Sequence, residues 1–195
     1  MLLRKPSIAT LLLAVLLPAK TALAGLILDQ NLFYSSTATK TSFNESQSRY
    51  ALSLFIGASI PKQYFIGWKT TLYQDSMKDS VGTAKISGLE MGPRFGLFID
   101  RNRWWAFTTT YLPVHGGTYT SDTGTVSTLS GSGFEFELCF APQVFKNLYP
   151  GVSMLYHLGS YSTSTNTSST ASTVSYSRNA FTPSIYLHWV FGGLD

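Results

Sequence analysis

The sequence predicts an all-β protein, an eight-stranded antiparallel up-and-down transmembrane β-barrel. Three observations predict it. Apolar residues alternate with small or polar residues in eight segments, short and long connections alternate between those segments, and a secretory signal precedes them. No later stretch approaches the run of about eighteen apolar residues that indicates a transmembrane helix.

The first 24 residues predict a cleaved signal peptide. Two basic residues lie near its start, residues 8–17 form an apolar stretch, and Ala-Leu-Ala at 22–24 fits the small-x-small cleavage rule. The apolar stretch is too short to span a bilayer, which takes about 20 residues. The predicted organisation is a signal peptide over 1–24 and one barrel domain over 25–195.

Composition excludes several function classes. Charged residues make up only 12% of the 195 residues, and the formal net charge is +4. Arg4, Lys5 and Lys20 belong to the signal peptide, so the rest of the chain has eleven basic and ten acidic residues. A nearly neutral chain without basic clusters is not expected to bind nucleic acid. A single cysteine, Cys139, excludes an intrachain disulfide framework.

The first four predicted strands each have one apolar face. In 26–37 the alternation is less regular, because Gln30 falls among Leu26, Leu28, Leu32 and Tyr34. The apolar residues fall at even positions in 50–60 and 64–72, and at odd positions in 89–99. This period of two predicts strands with one face apolar and the other small or polar.

The last four predicted strands follow the same rule with one open point. The segment 103–115 reads as a strand, but its pattern does not fix which face is inward. Apolar residues at even positions define 134–140 and 152–158, and apolar residues at odd positions define the closing strand 181–191. The total of eight strands is even, as an up-and-down antiparallel barrel requires.

The predicted connections fall into two classes that alternate along the chain. In an up-and-down barrel this alternation places all short turns and both termini at one end, and all long loops at the other. The long loops are rich in Ser, Thr, Gly and Asp. The predicted short turns are 61–62, 100–102 and 146–150, and the predicted long loops are 39–48, 74–84, 116–132 and 162–175.

Aromatic residues concentrate towards the ends of the predicted strands. Two such girdles are typical of the two interfaces of a membrane barrel. Those near the short turns are Tyr64, Trp104, Trp105, Tyr149 and Trp189, and those near the long loops are Tyr50, Tyr73, Tyr111, Tyr161 and Tyr176.

The chain resembles the small eight-stranded outer-membrane barrels of the OmpA-transmembrane-domain and OmpX type. The signal peptide, the segment 88–99 and the closing strand 185–191 carry the resemblance. It implies a protein of the bacterial outer membrane with periplasmic termini. It also implies contact with outer-membrane lipid and lipopolysaccharide, insertion by the barrel-insertion machinery, and a structural or surface-interaction role with a possible extracellular or cell-surface partner.

The alternation predicts a charged interior. Lys69, Glu90, Arg94 and Glu137 are expected at similar depth, where they would form an ion-pair network that closes the lumen, because eight strands leave space only for side chains. A narrow pore is the alternative, and a soluble periplasmic lipocalin-like barrel, with its apolar face inside, is another. The predicted interior set is Asp29, Arg49, Gly57, Gly67, Lys69, Glu90, Gly92, Arg94, Gly96, Glu135, Glu137 and Gly159.

No residue is predicted to be catalytic, to bind a cofactor or to ligate a metal. His157 and His188 take interior parity and are expected to be structural, and Cys139 is expected inside as a small space-filling residue. His115 is placed near the long-loop rim. An enzyme acting on outer-leaflet lipid, similar to a deacylase, is therefore an alternative function, although nothing there fixes a nucleophile beside a base.

The most distinctive stretch is 160–177, where thirteen of eighteen residues are Ser or Thr. Thr and Tyr favour extended structure, so the flanking strands are predicted to continue as a protruding ribbon whose edge can pair with another chain. The alternative is a hydrophilic loop that shields the barrel. The candidate surface-interaction residues are Thr163, Thr165, Asn166, Thr170 and Thr173.

Overall fold

The chain folds into a closed antiparallel barrel of eight strands in sequence order, with β1 also paired to β8. This confirms the predicted fold class. The structure is a computed structural model that describes residues 25–39, 45–60, 63–78, 82–166 and 171–192, so the predicted signal peptide and the turn at 61–62 lie outside the described residues. The strands are β1 (Gly25–Thr39), β2 (Glu45–Ile60), β3 (Tyr64–Lys78), β4 (Thr83–Phe98), β5 (Trp105–Thr120), β6 (Val126–Phe140), β7 (Leu148–Asn166) and β8 (Ala171–Phe191).

The predicted bounds of the long loops are wrong, because the strands continue into each of these segments. The segment predicted as the loop 116–132, for example, pairs Thr120 with Val126 and leaves only 121–125 between the strands. Thr and Tyr are frequent in these segments, and both favour the extended backbone. In the stretch 160–177 the flanking strands do continue as predicted, because β7 runs to Asn166 and β8 begins at Ala171. At the other end, β7 already begins at Leu148, inside the predicted turn 146–150.

Apolar side chains cover the outside of the barrel, and charged side chains lie inside. Leu52, Trp68 and Ile185 are about half exposed or more, whereas Lys69, Glu90 and Arg94 are fully buried. This is the opposite of the lipocalin arrangement. On the side of the β1–β2, β3–β4, β5–β6 and β7–β8 connections, the outward residues become polar or small at Ser48, Gln74, Ser87, Thr118, Ser132, Ser160 and Asn179.

Three members of the predicted aromatic girdles point inward. Tyr73, Tyr149 and Tyr161 are buried because they have the parity of the interior residues of their strands. The side chain of Tyr176 is outside the described residues, and Trp189 is half-buried. The exposed members are Tyr50, Tyr64, Trp104, Trp105 and Tyr111.

A β-bulge in β5 settles the parity that the sequence leaves open. Its register against β6 shifts between Leu112 and His115, so Pro113 and Val114 both face outward while Leu112 and His115 both face inward. A bulge inserts an extra residue and so switches the inward face from even to odd positions. The prediction of His115 at an accessible rim is therefore wrong.

Small residues leave room for large rings in the lumen. A Cβ at Gly96 would overlap the ring of Phe65, which is fully buried and packs with Phe55 and Phe98. We expect Gly96→Ala to lower the free energy of unfolding by about 1–3 kcal/mol, the usual cost of overpacking. Urea unfolding in detergent checks this, with the outward Ser132→Ala as control. Equal stability of the two variants would contradict it.

The seam between β1 and β8 is shorter than the other strand contacts. Among the described residues their pairing runs from Leu26↔Phe191 to Phe33↔Ser184 and ends there, although both strands continue. Pro183 follows at this point and has no N–H to donate to a ladder. A cleft of about 410 Å³ marks the place where the strands part.

The described residues contain no helix long and apolar enough to cross a membrane.

Candidate functional site

The candidate site is the charged interior of the barrel. Among the described residues, five carboxylates, three basic side chains and three histidines are buried there. Because strand parity turns all of them towards the lumen, residues far apart in sequence face one another. They are Asp29, Arg49, Lys69, Asp75, Glu90, Arg94, His115, Glu135, Glu137, His157 and His188.

Arg94 links three strands towards the short-turn end. Its guanidinium lies 2.9 Å from Glu137 Oε2 on β6 and 3.3 Å from Asp29 Oδ2 on β1. His188 Nδ1 on β8 contacts the other oxygen of Asp29. The Arg94 guanidinium also lies over the Phe55 ring, with 5.1 Å between Cζ and the ring centroid. Arg94 therefore makes both ion pairs and an aromatic contact while it is fully buried.

Lys69 continues the contacts in the middle of the lumen. Its Nζ donates to Glu135 Oε2 at 2.7 Å and lies 3.8 Å from Glu137 Oε2. Glu135 Oε1 in turn lies 3.4 Å from His157 Nδ1 on β7. The acid that pairs with Arg94 and the acid that faces His157 are thus joined through one lysine.

Arg49 and Glu90 form the pair nearest the long hairpins. Arg49 Nη2 donates to both carboxylate oxygens of Glu90 at 3.0 Å, and Arg49 Nη1 lies 3.7 Å from Asp75 Oδ2. The Arg49 guanidinium also stacks over Tyr73 at 4.6 Å. Since His157 Nε2 is 3.7 Å from Glu90 Oε1, the contacts form one continuous chain from Asp29 to Asp75.

Glu90, His115 and His157 form a compact trio on β4, β5 and β7. One ligand atom from each lies within 4.8 Å of the other two. His115 Nδ1 is 3.1 Å from Glu90 Oε1. The His115 ring stacks on Tyr161, with 4.4 Å between the centroids, so it lies well inside the barrel.

The structure brings together three of the four residues predicted for the lumen network. Lys69 and Arg94 both contact Glu137, whereas Glu90 pairs with Arg49 and joins the others through His157 and Glu135. Arg49 and Glu135 are in the predicted interior set but not in the predicted network. The alternation along a strand predicts that these two side chains face the lumen, but it does not predict which acidic and basic side chains form pairs.

His115 does not lie at the long-loop rim, which is the position on which the alternative of a lipid-modifying enzyme was based. It is 1% exposed and stacks on Tyr161, so it does not lie at an accessible rim. Cys139 is buried in the lumen with a free thiol, and Ser153 donates to Glu137.

The candidate surface-interaction residues lie on the β7–β8 hairpin. Thr163, Thr165 and Asn166 belong to β7, and Thr173 belongs to β8, whereas Thr170 is outside the described residues. β7 and β8 have 19 and 21 residues, and the other strands have 15 or 16. Asn166 pairs with Ser127 near the start of β6, so the β7–β8 hairpin reaches about the same level as the β5–β6 hairpin, and the extra residues of β7 lie at the other end of the barrel.

Comparisons with known proteins give little beyond this geometry. No protein-family model matches the sequence, and no curated protein matches it. Among solved structures, the chain is similar to the translocator domain of the autotransporter NalP from Neisseria meningitidis. The match covers 93% of this chain and 67% of that chain, with 12% sequence identity and a TM-score of 0.46. This similarity is too low to indicate a function.

Proposed function

We propose that the chain is a bacterial outer-membrane protein, exported with a cleaved signal peptide, that has a structural and surface-interaction role. The outward apolar band around a charged interior carries this proposal. On β2 the band runs from Tyr50 to Ile60, close to the 9–11 residues of a tilted transmembrane strand. In this placement the band contacts membrane lipid and lipopolysaccharide after insertion by the barrel-insertion machinery.

The interior supports a closed, non-catalytic barrel. Side chains from opposite walls contact each other across the lumen, including Asn31 on β1 with Glu137 on β6 and Lys69 on β3 with Glu135 on β6. Eight strands leave an interior just wide enough for side chains. The network therefore fills the barrel and connects its walls instead of lining a channel.

The free edge of β8 supports the surface interaction. Ala171 to Pro183 has β7 on one side and, among the described residues, no β1 partner on the other. β1 has a similar edge from Tyr34 to Thr39. A strand edge with unpaired backbone groups is a template for pairing with another chain. Its Ser and Thr side chains keep the edge hydrophilic until a partner strand adds.

Shortening the β7–β8 hairpin tests the surface role. Replacing 162–175 by a two-residue turn is expected to abolish adhesion of expressing cells to epithelial monolayers and to one another. The heat-dependent gel shift of the barrel should remain, because the described residues of this range lie beyond the apolar band.

A matched variant shortens the β5–β6 connection at 121–125, which is also exposed but belongs to shorter strands. This control is expected to retain adhesion. Unchanged adhesion after the β7–β8 replacement would remove the surface role and leave a purely structural barrel. Equal loss in both variants would assign adhesion to the loops in general instead of the β8 edge.

A further inference from the structure

We propose that Glu90, His115 and His157 bind one divalent transition-metal ion, with Zn²⁺ as the best match, inside the barrel. Two imidazoles and one carboxylate are the protein ligands of many open zinc sites. Tetrahedral zinc with ligand bonds of about 2.1 Å places its ligand atoms about 3.4 Å apart. Glu90 Oε1 lies 3.1 Å from His115 Nδ1 and 3.7 Å from His157 Nε2, on either side of that value.

His157 is oriented as a metal ligand. Its Nδ1 faces Glu135 Oε1 at 3.4 Å, and Lys69 holds the other oxygen of Glu135 at 2.7 Å. A carboxylate that accepts the Nδ1 proton leaves the lone pair of Nε2 free, which is the usual support of a metal-bound histidine. His157 Nε2 points towards Glu90 and His115.

The ring nitrogens that would bind the ion have no hydrogen-bond partner among the described residues. This holds for both nitrogens of His115 and for Nε2 of His157, because the 3.1 Å contact of His115 Nδ1 does not have hydrogen-bond geometry. Buried polar atoms without partners are costly, and a metal ion is one way to satisfy them. Three such atoms next to one carboxylate are the observation that points to a ligand.

Gly159 keeps the space between the two imidazoles clear. A Cβ at this position would lie 2.6 Å from His157 Nε2 and 2.7 Å from His115 Nε2. Any side chain there would therefore push the rings away from each other. The glycine allows the rings of β5 and β7 to approach the same point.

The charge of the interior also favours a divalent cation. Among the described residues, the lumen holds five carboxylates and three basic side chains, an excess of two negative charges when the histidines are neutral. Metal binding requires neutral imidazoles. Arg49 is the nearest opposing charge: its Nη2 donates to both oxygens of Glu90 at 3.0 Å, and Asp75 lies 3.7 Å from its Nη1. Glu90 Oε1 also faces the two histidines. One divalent ion neutralises the interior.

Metal content of the untagged full chain in detergent tests the proposal. The protein is saturated with ZnCl₂, passed over a desalting column, and its zinc is measured by mass spectrometry. One zinc per chain is expected. CoCl₂ in place of zinc is expected to give the visible absorption bands of tetrahedral cobalt. Absence of stoichiometric zinc in the folded wild-type chain overturns the proposal without any variant.

His115→Phe removes both ring nitrogens and keeps a ring against Tyr161. It is expected to bind zinc at least about 10-fold more weakly and to lose the cobalt bands. His188→Phe is the matched control, because among the described residues His188 contacts a single carboxylate, Asp29. It should retain one zinc.

Equal zinc binding by the two variants, or equal loss in both, overturns the assignment. If His115→Phe does not fold, His157→Gln takes its place in the same comparison. The site does not depend on the membrane placement, since an ion within a folded barrel is measured the same way wherever the barrel resides. Failure of the metal test therefore leaves the proposed surface role standing, and loss of adhesion says nothing about zinc.

Discussion

Replacing Arg94 by alanine is expected to lower the free energy of unfolding by about 3–5 kcal/mol, the cost of removing one partner from a buried ion pair. Arg94 is fully buried and contacts Glu137 at 2.9 Å and Asp29 at 3.3 Å, so the substitution leaves two carboxylates with less compensation. Glu137 keeps Lys69 at 3.8 Å, and Asp29 keeps His188, but neither contact replaces a guanidinium. The lumen would also gain a further negative charge.

Urea unfolding of the refolded barrel, followed by tryptophan fluorescence and by the heat-dependent gel shift, measures this loss. Arg101→Ala, in the exposed turn between β4 and β5, is the control and should change stability by less than about 0.5 kcal/mol. Adding Glu137→Gln to Arg94→Ala should recover part of the loss, because one uncompensated charge is removed. An intact gel shift together with a steady single-channel conductance would instead favour the narrow pore.

Because buried carboxylates outnumber buried basic side chains, we expect loss of a basic side chain to destabilise the barrel both near the short turns and near the long hairpins. Near the short turns, Arg94 serves two carboxylates, and near the long hairpins Arg49 serves two more. Among the described residues, Lys69 is the one buried basic side chain between them, and its Nζ lies 2.7 Å from Glu135 Oε2. Each base is therefore shared, so removal of any one shifts the balance of the whole chain of contacts. A divalent ion bound at Glu90 would compensate the excess negative charge near the long hairpins.

Strand number, order and facing were predictable because they depend on a period of two. Once 50–60 and 64–72 are assigned an apolar outer face, the inward placement of Arg49 and Lys69 follows from parity alone. Parity also carries the information that Tyr73 and Tyr161 are inward. The girdle assignment used their position along the strand instead and therefore placed them on the wrong face.

The partner of each charge was not predictable in the same way. Glu90 and Arg94 are four residues apart on β4 and share the inner face, yet Glu90 pairs with Arg49 on β2. Which residues meet across a lumen depends on strand tilt and register, which a single sequence does not give. The bulge between Leu112 and His115 is a further case. It reverses parity in β5 and brings His115 to Glu90.

Placing an arginine at Ile56 is expected to lower stability by about 2–4 kcal/mol in a bilayer, the cost of that side chain at the midplane of a membrane barrel. Ile56 is 51% exposed and lies on the outer face of β2, near the middle of the apolar band from Tyr50 to Ile60. Its neighbours across the strands are Leu28 and Trp68, which are also outward. Folding titrations in phospholipid vesicles measure the effect.

Gln74→Arg is the matched control, because Gln74 is outward and exposed but lies on the polar border of the band. Its expected cost is about 0–1 kcal/mol, since the penalty falls towards the interface. If the outer face of the barrel were in water, the two variants would not differ in this way. An exposed charge on a soluble barrel removes apolar contact with solvent and costs little, so equal stability of Ile56→Arg and Gln74→Arg in vesicles would contradict the membrane placement. A gap of about 2 kcal/mol or more between the two identifies the apolar band as the surface that lipid covers.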